Sequence, residues 1–280
     1  MAIDYAKQYS GVVDERFVEE AKSDRFVNKD FDFIGAKSIS VQTVSTAAMN
    51  DYNRTGNGNR YGTPETLSVT SQEMTMTKDR SFAFTIDKMD ADETKRALEA
   101  GKALSRQMSE VVLPEVDKYR FSVMASLAGT KKEEALTPIN IYDAIVTATE
   151  VLDEAKVPVN GRELAVTPKT FKLMKQSTDI VLNTEIGQEL RLRGVVAEVD
   201  GMLVTKVTQS TLGANVAFIV THKMATVAPV KLAEYKIHQD APGISGELVE
   251  GRFVYDAFVL ENKDKAIYAH TEPVATRAKK

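Results

Sequence analysis

The sequence KSISVQTV at residues 37–44 alternates apolar and polar side chains with a period of two, which is typical of a β-strand with one covered face. A second alternating run covers residues 67–76, and a third covers residues 82–86. Between the first two lies NDYNRTGNGNRYGTP at residues 50–64, whose glycines and asparagines favour positive φ angles and tight turns. The stretch therefore predicts a long two-stranded ribbon over residues 35–87.

This ribbon has few large apolar residues, and an isolated two-stranded ribbon is only marginally stable in water. Arms of roughly 20 residues would reach on the order of 60 Å, which is further than a compact domain of this length needs. The reach predicts contact with another subunit. The predicted contact residues at the tip are Tyr52, Arg54, Arg60 and Tyr61. Arginines on such a loop can form bidentate pairs with a neighbour's carboxylates, and the alternative that they only keep the tip soluble stays open.

The residues before the ribbon are charged and sparsely apolar. The pattern at residues 12–26 predicts a short helix with a narrow apolar stripe, which would be marginal alone. Val13 and Phe17 on this stripe are predicted to contact another subunit.

After the ribbon, residues 90–127 predict one long helix. Asp90 and Glu93 form a capping pair at its start, and Pro114 is the expected site of a kink. Its apolar face is expected at the following positions: Leu98, Leu104, Met108, Val112, Val116, Tyr119, Val123 and Leu127.

The remainder of the chain mixes helix and strand patterns, which makes the fold class α+β. The predicted elements are helix 139–155, strand 162–166, helix 167–174, strands 195–199, 202–207 and 216–220, and a closing hairpin of residues 253–260 with residues 266–269. Thr167 and Pro168 mark a helix start, and Asp200 with Gly201 predicts a hairpin turn.

The composition excludes several classes of protein. The 280 residues carry 36 Lys and Arg against 40 Asp and Glu, a net charge of −4, which disfavours a dedicated nucleic-acid binder. Cysteine is absent, so disulfides and thiolate metal sites are excluded. No apolar run is long enough to cross a membrane, and the charged first thirty residues differ from a signal peptide.

Candidate chemistry is weak throughout the chain. The glycines at residues 56–62 approach a dinucleotide-binding fingerprint, but with one residue too many before the last glycine and no strand feeding a helix. The histidines His222, His238 and His270 lack metal-ligand spacing. Met74 and Met76 are expected to cover a packing face. We therefore expect no catalytic residue, no metal site and no cofactor.

Three segments resemble capsid proteins of tailed bacteriophages and prophages that have the Hong Kong 97-type capsid fold. They are GNRYGTPETLSVTSQEMTMTKDRSFAFTIDKMD at residues 58–90, VVAEVDGMLVTKV at residues 195–207 and THKMATVAPVKLAEYKIHQDAPGISGELVEGRFVYDAFVL at residues 221–260. The last segment is the most specific, and the predicted element order is similar over nearly the whole chain.

The resemblance implies a division of the chain into the parts of that fold. These parts are an N-arm (1–34), an extended E-loop hairpin (35–88), a P-domain spine helix and linker (89–136), an A domain (137–246), a closing P-domain hairpin (247–272) and a tail (273–280). It further implies a structural, non-enzymatic subunit that forms the hexamers and pentamers of an icosahedral virion shell around double-stranded DNA, without sequence-specific binding. Assembly in the cytoplasm of a bacterial host, a portal protein and a scaffolding protein separate from a chain that begins at Met1 are expected with it. Whether a decoration protein also binds is left open by the sequence.

The lysine content of the ribbon gives one further expectation. The family's founding member crosslinks an E-loop lysine to an asparagine of a neighbouring subunit, but residues 45–77 contain no lysine here, so no covalent crosslinking is expected.

The alternative functions are a shell protein of an encapsulin-like cellular nanocompartment and, from another class, a soluble α+β enzyme.

Overall fold

A computed structural model describes residues 21–28, 38–55, 58–88, 100–178, 180, 195–239 and 242–273. The strands are β1 (Ser38–Val44), β2 (Val69–Thr75), β3 (Lys78–Asp87), β4 (Thr130–Glu133), β5 (Arg162–Val166), β6 (Val195–Val199), β7 (Met202–Lys206), β8 (Val216–His222), β9 (Thr226–Val227), β10 (Val230–Gln239), β11 (Gly246–Tyr255), β12 (Phe258–Val259) and β13 (Ile267–Thr271). The helices are α1 (Ala100–Gln107), α2 (Leu113–Ser126), α3 (Ile141–Glu154), α4 (Pro168–Gln176) and α5 (Gln209–Leu212), with a π-helical turn at Met108–Val112 and 3-10 helices at Lys22–Phe26 and Glu261–Ala266.

A six-stranded mixed sheet in the order β4-β13-β8-β5-β7-β6 forms the centre of the larger core. Successive side chains of its strands point to opposite faces. On β5, Leu164 and Val166 pack with α3 and α4, whereas Ala165 packs with α2 and α5 on the other face. Both faces are therefore covered, which explains why the central strands read as continuous apolar runs.

The start of α4 follows the sequence prediction. The Thr167 side chain accepts a hydrogen bond from the Thr170 backbone N–H at 3.2 Å, and Pro168 occupies the first turn, where its missing N–H costs nothing. The predicted hairpin turn at Asp200 and Gly201 is also confirmed, since both residues have positive φ angles of 51° and 70° between the antiparallel strands β6 and β7.

The long helix is interrupted by the π-helical turn directly before Pro114, the residue at which the sequence predicted a kink. Leu113 N–H bonds to Met108 O, five residues back. Proline cannot donate, and its ring excludes the carbonyl four residues before it, so the wider turn accommodates Pro114. The predicted capping pair at the start of the helix lies outside the described residues.

After this turn, the buried face of the helix is wider than the sequence predicted. Leu104 and Met108 are buried as predicted, but after the turn Phe121 and Met124 are fully buried, while Leu127 is 51% exposed. The prediction of Leu127 on the apolar face is wrong, because Leu127 follows the last residue of α2, whereas the predicted position Val116 is buried.

The predicted ribbon is shorter than expected. The β1–β2 ladder contains seven residue pairs, from Ser38↔Thr75 to Val44↔Val69, whereas β3 pairs with β11 in a separate sheet of order β10-β11-β3. The third strand leaves the ribbon because its apolar face packs with α1 and with β11. Gly251 permits this packing, since a Cβ there would lie 2.5 Å from the ring of Phe82.

The predicted closing hairpin is wrong. β11 pairs with β10 and β3, while β13 pairs with β4 and β8 inside the six-stranded sheet. The reason is burial: Ile267, Tyr268, Ala269 and His270 are all buried, and a strand covered on both faces belongs within a layered sheet. Sequence reasoning also missed β10, and it assigned the charged strand β4 to a linker.

Candidate assembly surface

Residues 45–68, called here the extended loop, continue the β1–β2 ribbon beyond its last pair. Ser45 N–H donates to Ser68 O at 2.9 Å, and Ser68 N–H returns a bond to Ser45 Oγ at 2.9 Å. Further out, Asn53 N–H donates to Arg60 O at 3.0 Å. The two arms of the loop therefore approach each other again near the tip.

The rings of Tyr52 and Tyr61 hold the tip together. Their centroids lie 5.0 Å apart in an edge-to-face arrangement, which is favourable for aromatic pairs. Gly62 has a φ of 83°, and a Cβ at this position would lie 2.7 Å from Asn50 Nδ2. Glycine at the tip is thus required by both conformation and space.

The extended loop is almost entirely exposed. Every described residue from 45 to 68 is exposed except Gly62, which is half-buried. Four large apolar side chains are among the exposed ones, at 100% for Met49, 83% for Tyr61, 53% for Leu67 and 49% for Tyr52. Exposed apolar groups concentrated on one projecting loop are typical of a surface that another molecule covers.

The base of the loop, in contrast, is fixed to the body of the protein. Met74 and Met76 are buried with Val227 and Leu260, as expected for a packing face. Gln72 adds two hydrogen bonds. Its Nε2 donates to Val259 O at 3.0 Å, and its Oε1 accepts from Glu261 N–H at 3.0 Å. The predicted need for a partner is therefore restricted to the outer part of the ribbon.

Asp256 connects the loop base to the long helix. Its Oδ2 accepts from Thr77 N–H at 2.7 Å and from the Thr77 hydroxyl at 3.0 Å, and its Oδ1 accepts from Tyr119 OH at 2.6 Å and from Ala257 N–H at 2.8 Å. Burial, followed by the hydrogen bond to Asp256, raises the pKa of Tyr119 well above its ordinary value. The phenol consequently remains a donor, and the carboxylate has its acceptor sites filled.

A second candidate surface was predicted in the N-terminal segment. Val13 and Phe17 lie outside the described residues, so their contact role stays a prediction. The part that follows them is docked onto the body: Asp117 accepts from the Lys22 and Ser23 backbone N–H groups, each at 3.1 Å, and Phe26 is fully buried. Burial raises the pKa of Asp117 despite these hydrogen bonds.

Arginine pairs reinforce this docking. Arg120 is buried and bonds to Asp24 at 2.7 Å, and Arg25 bonds to Glu163 at 2.8 Å. Charged pairs of this kind fix position more than they add stability. Residues 22–26 are thus held on the side of the sheet covered by α2.

The structure places the predicted tip residues close together, but it does not test their role in subunit contacts. Tyr52 touches Tyr61, Asn53 bonds to Arg60, and Arg54 is exposed beside them. Sequence reasoning missed Met49 and Leu67, although apolar residues inside a turn-rich polar loop are a signal that could have identified them.

Other site chemistry is ordinary. In the described part of the chain, no group of three or more His, Cys, Asp or Glu side chains could hold a metal ion. None of the helices described has the length and apolar character needed to cross a bilayer. His222 and His270 bond to the backbone carbonyls of Asn160 and Glu134, and burial lowers the pKa of both imidazoles.

The arrangement of these elements is shared with known phage structures. A chain from Mycobacterium phage Che8 matches with a TM-score of 0.65 at 16% identity, over 88% of this chain and 89% of that one. The capsid of cyanophage P-SCSP1u matches at 0.65 and 16% identity, over 86% and 85% of the two chains. The mature capsid of bacteriophage PhiM1 matches at 0.63 and 14% identity, over 88% and 85%.

The chain has a phage capsid fold. The capsid fold expected from the sequence is thereby confirmed, although the division into N-arm, E-loop, P domain and A domain stays a prediction. No family model matches the chain, and no curated protein matches it. The capsid fold is therefore recognised through its architecture, because identities of 14–16% in these comparisons are far below those at which sequence alone is informative.

Proposed function

We propose that this chain is the major capsid protein of a tailed bacteriophage, a structural subunit that assembles into hexamers and pentamers of an icosahedral shell around double-stranded DNA. The capsid fold supports this function, and the observation that carries it is the extended loop, with its exposed apolar side chains on a base that is firmly anchored. A monomeric enzyme has no evident use for such a loop.

The proposal includes the partners that a phage shell requires. The chain contacts copies of itself through the extended loop, with Tyr52, Arg54, Arg60 and Tyr61 as contact residues, and through Val13 and Phe17. A portal protein and a scaffolding protein act with it, and the shell forms in the bacterial cytoplasm. The near-neutral net charge of −4 agrees with DNA that is enclosed and not bound sequence-specifically.

The extended loop provides the test. Ser45 and Ser68 lie side by side, so residues 46–67 can be replaced by an Asn-Gly turn without disturbing the β1–β2 ladder. The shortened chain is expected to unfold at the same temperature as the parent chain but to form no shells. Differential scanning calorimetry measures the first property, and sedimentation velocity with negative-stain microscopy measures the second.

A matched control keeps the loop and changes one exposed charge on it, Glu65→Gln, which is expected to leave particle yield unchanged. If the shortened chain forms normal shells, the proposed role of the extended loop in assembly is wrong. Monomers of the parent chain under every assembly condition would overturn the shell function itself.

The contents of the particles separate this proposal from a cellular nanocompartment. That alternative is not favoured, because structures from phages match this chain with TM-scores of 0.65. Shells recovered from a phage-producing culture are expected to contain nuclease-protected double-stranded DNA, whereas shells filled with an enzyme would contradict the phage function.

A further inference from the structure

The helix α3 presents an apolar line to solvent in addition to its buried face. Ile139, just before the helix, is 85% exposed, and Tyr142 and Val146 are 39% and 37% exposed. The helix already buries Ile145 and Leu152, both fully, in the core. A helix with apolar groups on two opposite faces has a second face to cover.

Acidic residues extend this exposed line toward the end of the helix. Glu150 and Glu154 follow Val146 at intervals of four residues, so they lie on the same side, and Asp153 is exposed next to them. Carboxylates in the last turns of a helix oppose its dipole, and α3 has no basic residue in its last turn. Their charge therefore does not serve the stability of α3 itself.

The neighbouring helix α4 has the opposite character. Its exposed residues include Lys169, Lys172 and Lys175, and its first turn contains no acidic residue. Lys169 lies near the helix N-terminus, where a cation is also unfavourable. The two helices thus carry complementary charges. The dipole of α4 favours Lys175 in its last turn but not Lys169, and the dipole of α3 does not favour Glu150 or Glu154.

These charges do not neutralise each other within one chain. In the part of the chain that the structure describes, the ion pairs of the two helices are made elsewhere, by Asp153 with Arg162 at 2.7 Å and by Lys169 with Glu272. Lys175 lies 5.0 Å from the ring centre of Phe171.

The two helices contact each other and lie over different strands of the same sheet face. Both helices cover one face of the six-stranded sheet, but α3 contacts β13, next to the edge strand β4. In contrast, α4 contacts β8, and Lys206 at the end of β7 lies 5.7 Å from the ring centre of Phe171. Two different, complementary surfaces on one chain suit a head-to-tail contact, which forms a ring when the rotation between successive copies closes.

We propose that the exposed acidic and apolar face of α3 on one copy of this chain packs against the lysine face of α4 on the next copy in a ring. The inference rests on the proposed shell function and assigns a specific contact to it. Tyr142 and Val146 supply the apolar centre of the contact, and the charges select the orientation of the neighbour.

Charge reversal tests the contact in the full-length chain. One variant carries Glu150→Lys and Glu154→Lys on α3, and another carries Lys172→Glu and Lys175→Glu on α4. Each alone places like charges across the contact and is expected to reduce the assembled fraction about tenfold or more, measured by sedimentation velocity. A control with Glu133→Lys and Glu261→Lys, both exposed outside these helices, is expected to assemble as the parent chain does.

Mixing the two reversal variants tests directly whether the two helix faces meet. In a ring that alternates the two reversal variants, every contact again pairs opposite charges. An equal mixture is therefore expected to recover six-membered rings but not five-membered ones, as counted in negative-stain images. A single chain carrying all four substitutions is expected to recover both. Thermal unfolding of each variant shows whether the monomer remains folded.

The outcomes separate this contact from the shell function. Normal assembly of either reversal variant, or a folded variant whose assembly neither mixing nor the fourfold variant recovers, overturns the contact while the shell function stands. If the parent chain never assembles, both fail. Tyr142→Ser with Val146→Ser provides an independent check, since it must also reduce assembly without lowering the unfolding temperature.

Discussion

Asp256 is the single residue on which most of the loop base depends. Its two carboxylate oxygens accept four hydrogen bonds, two from Thr77, one from Tyr119 and one from Ala257. An Asp256→Asn variant replaces one oxygen with an NH₂ group, which would face the N–H of either Thr77 or Ala257. We expect a loss of about 2–3 kcal/mol in the free energy of unfolding, measured by urea denaturation.

The matched control for this substitution is Asp200→Asn. Asp200 is exposed in a hairpin turn with a φ of 51°, a conformation that asparagine also adopts. A change of less than about 0.5 kcal/mol is expected there. Equal effects at the two positions would contradict the role of Asp256 as a connection between the loop base and the helix.

His270 makes stability depend on pH. Its Nε2 lies 3.0 Å from Glu134 O and so donates, which leaves Nδ1 buried without a partner in the described structure, against the ring of Phe218. Protonation of Nδ1 would bury an unpaired N–H. Burial accordingly lowers the pKa of His270 below its ordinary value of 6.5.

The lowered pKa of His270 determines how stability changes with pH. As pH falls below 6.5, the unfolded chain takes up a proton at His270 before the folded chain does, so stability that is present above 6.5 is lost on acidification. We expect a His270→Phe variant to lose less stability than the parent chain between pH 8 and pH 5, by at most about 1.4 kcal/mol per pH unit. Parallel curves in urea denaturation would contradict this.

Residue patterns could identify packing residues but not this kind of connection. Met74 and Met76 were recognisable because they alternate with polar residues along one strand. Asp256 was not, because its partners Thr77 and Tyr119 are more than 130 positions away in sequence. A lone aspartate between two strands carries no local sign of a fourfold acceptor.

At the scale of elements, the sequence predicted the positions of several strands and helix starts correctly, but not which strands pair with each other. The strands β5 and β6 and the start of α4 were predicted closely, because their periodicity and their turn or cap residues are local. The partners of β3 and β13 were wrong, because pairing depends on which faces distant helices cover. The π turn was likewise not predicted, because Pro114 indicates a break in the helix but not the hydrogen-bond pattern that accommodates it.

The N-terminal segment at Lys22–Phe26 offers a prediction at this scale. Phe26 is fully buried, with its ring 5.3 Å from that of Phe121. Phe26→Ala is expected to cost about 3–5 kcal/mol of unfolding free energy, because it leaves a cavity between this segment and α2. The exposed aromatic Tyr61 is the control, and Tyr61→Ala should change monomer stability by less than about 0.5 kcal/mol. A small loss for Phe26→Ala would mean that the segment is not docked in solution.

At the scale of the whole molecule, the chain combines a well-packed body with one loop that its own residues do not cover. The sequence could predict the loop, since its turn composition and its alternating strands are local features. It could not predict where the loop ends and the body begins, because the burial of Met74 depends on Val227 and Leu260, which are distant in sequence. The contact surfaces of α3 and α4 became visible only once both helices were placed on one sheet face.

The same organisation bears on how the proposed shell would be held together. A lysine-to-asparagine bond in which this loop supplies the lysine amine is excluded, because residues 45–77 contain no lysine. The next lysine, Lys78, lies at the loop base with its amine 4.9 Å from the ring centre of Tyr119. Assembled particles boiled in detergent are therefore expected to run as a single band near the monomer mass of 30.9 kDa in denaturing electrophoresis. A ladder of multimers that resists detergent and heat would contradict this, and it would require a lysine from outside residues 45–77.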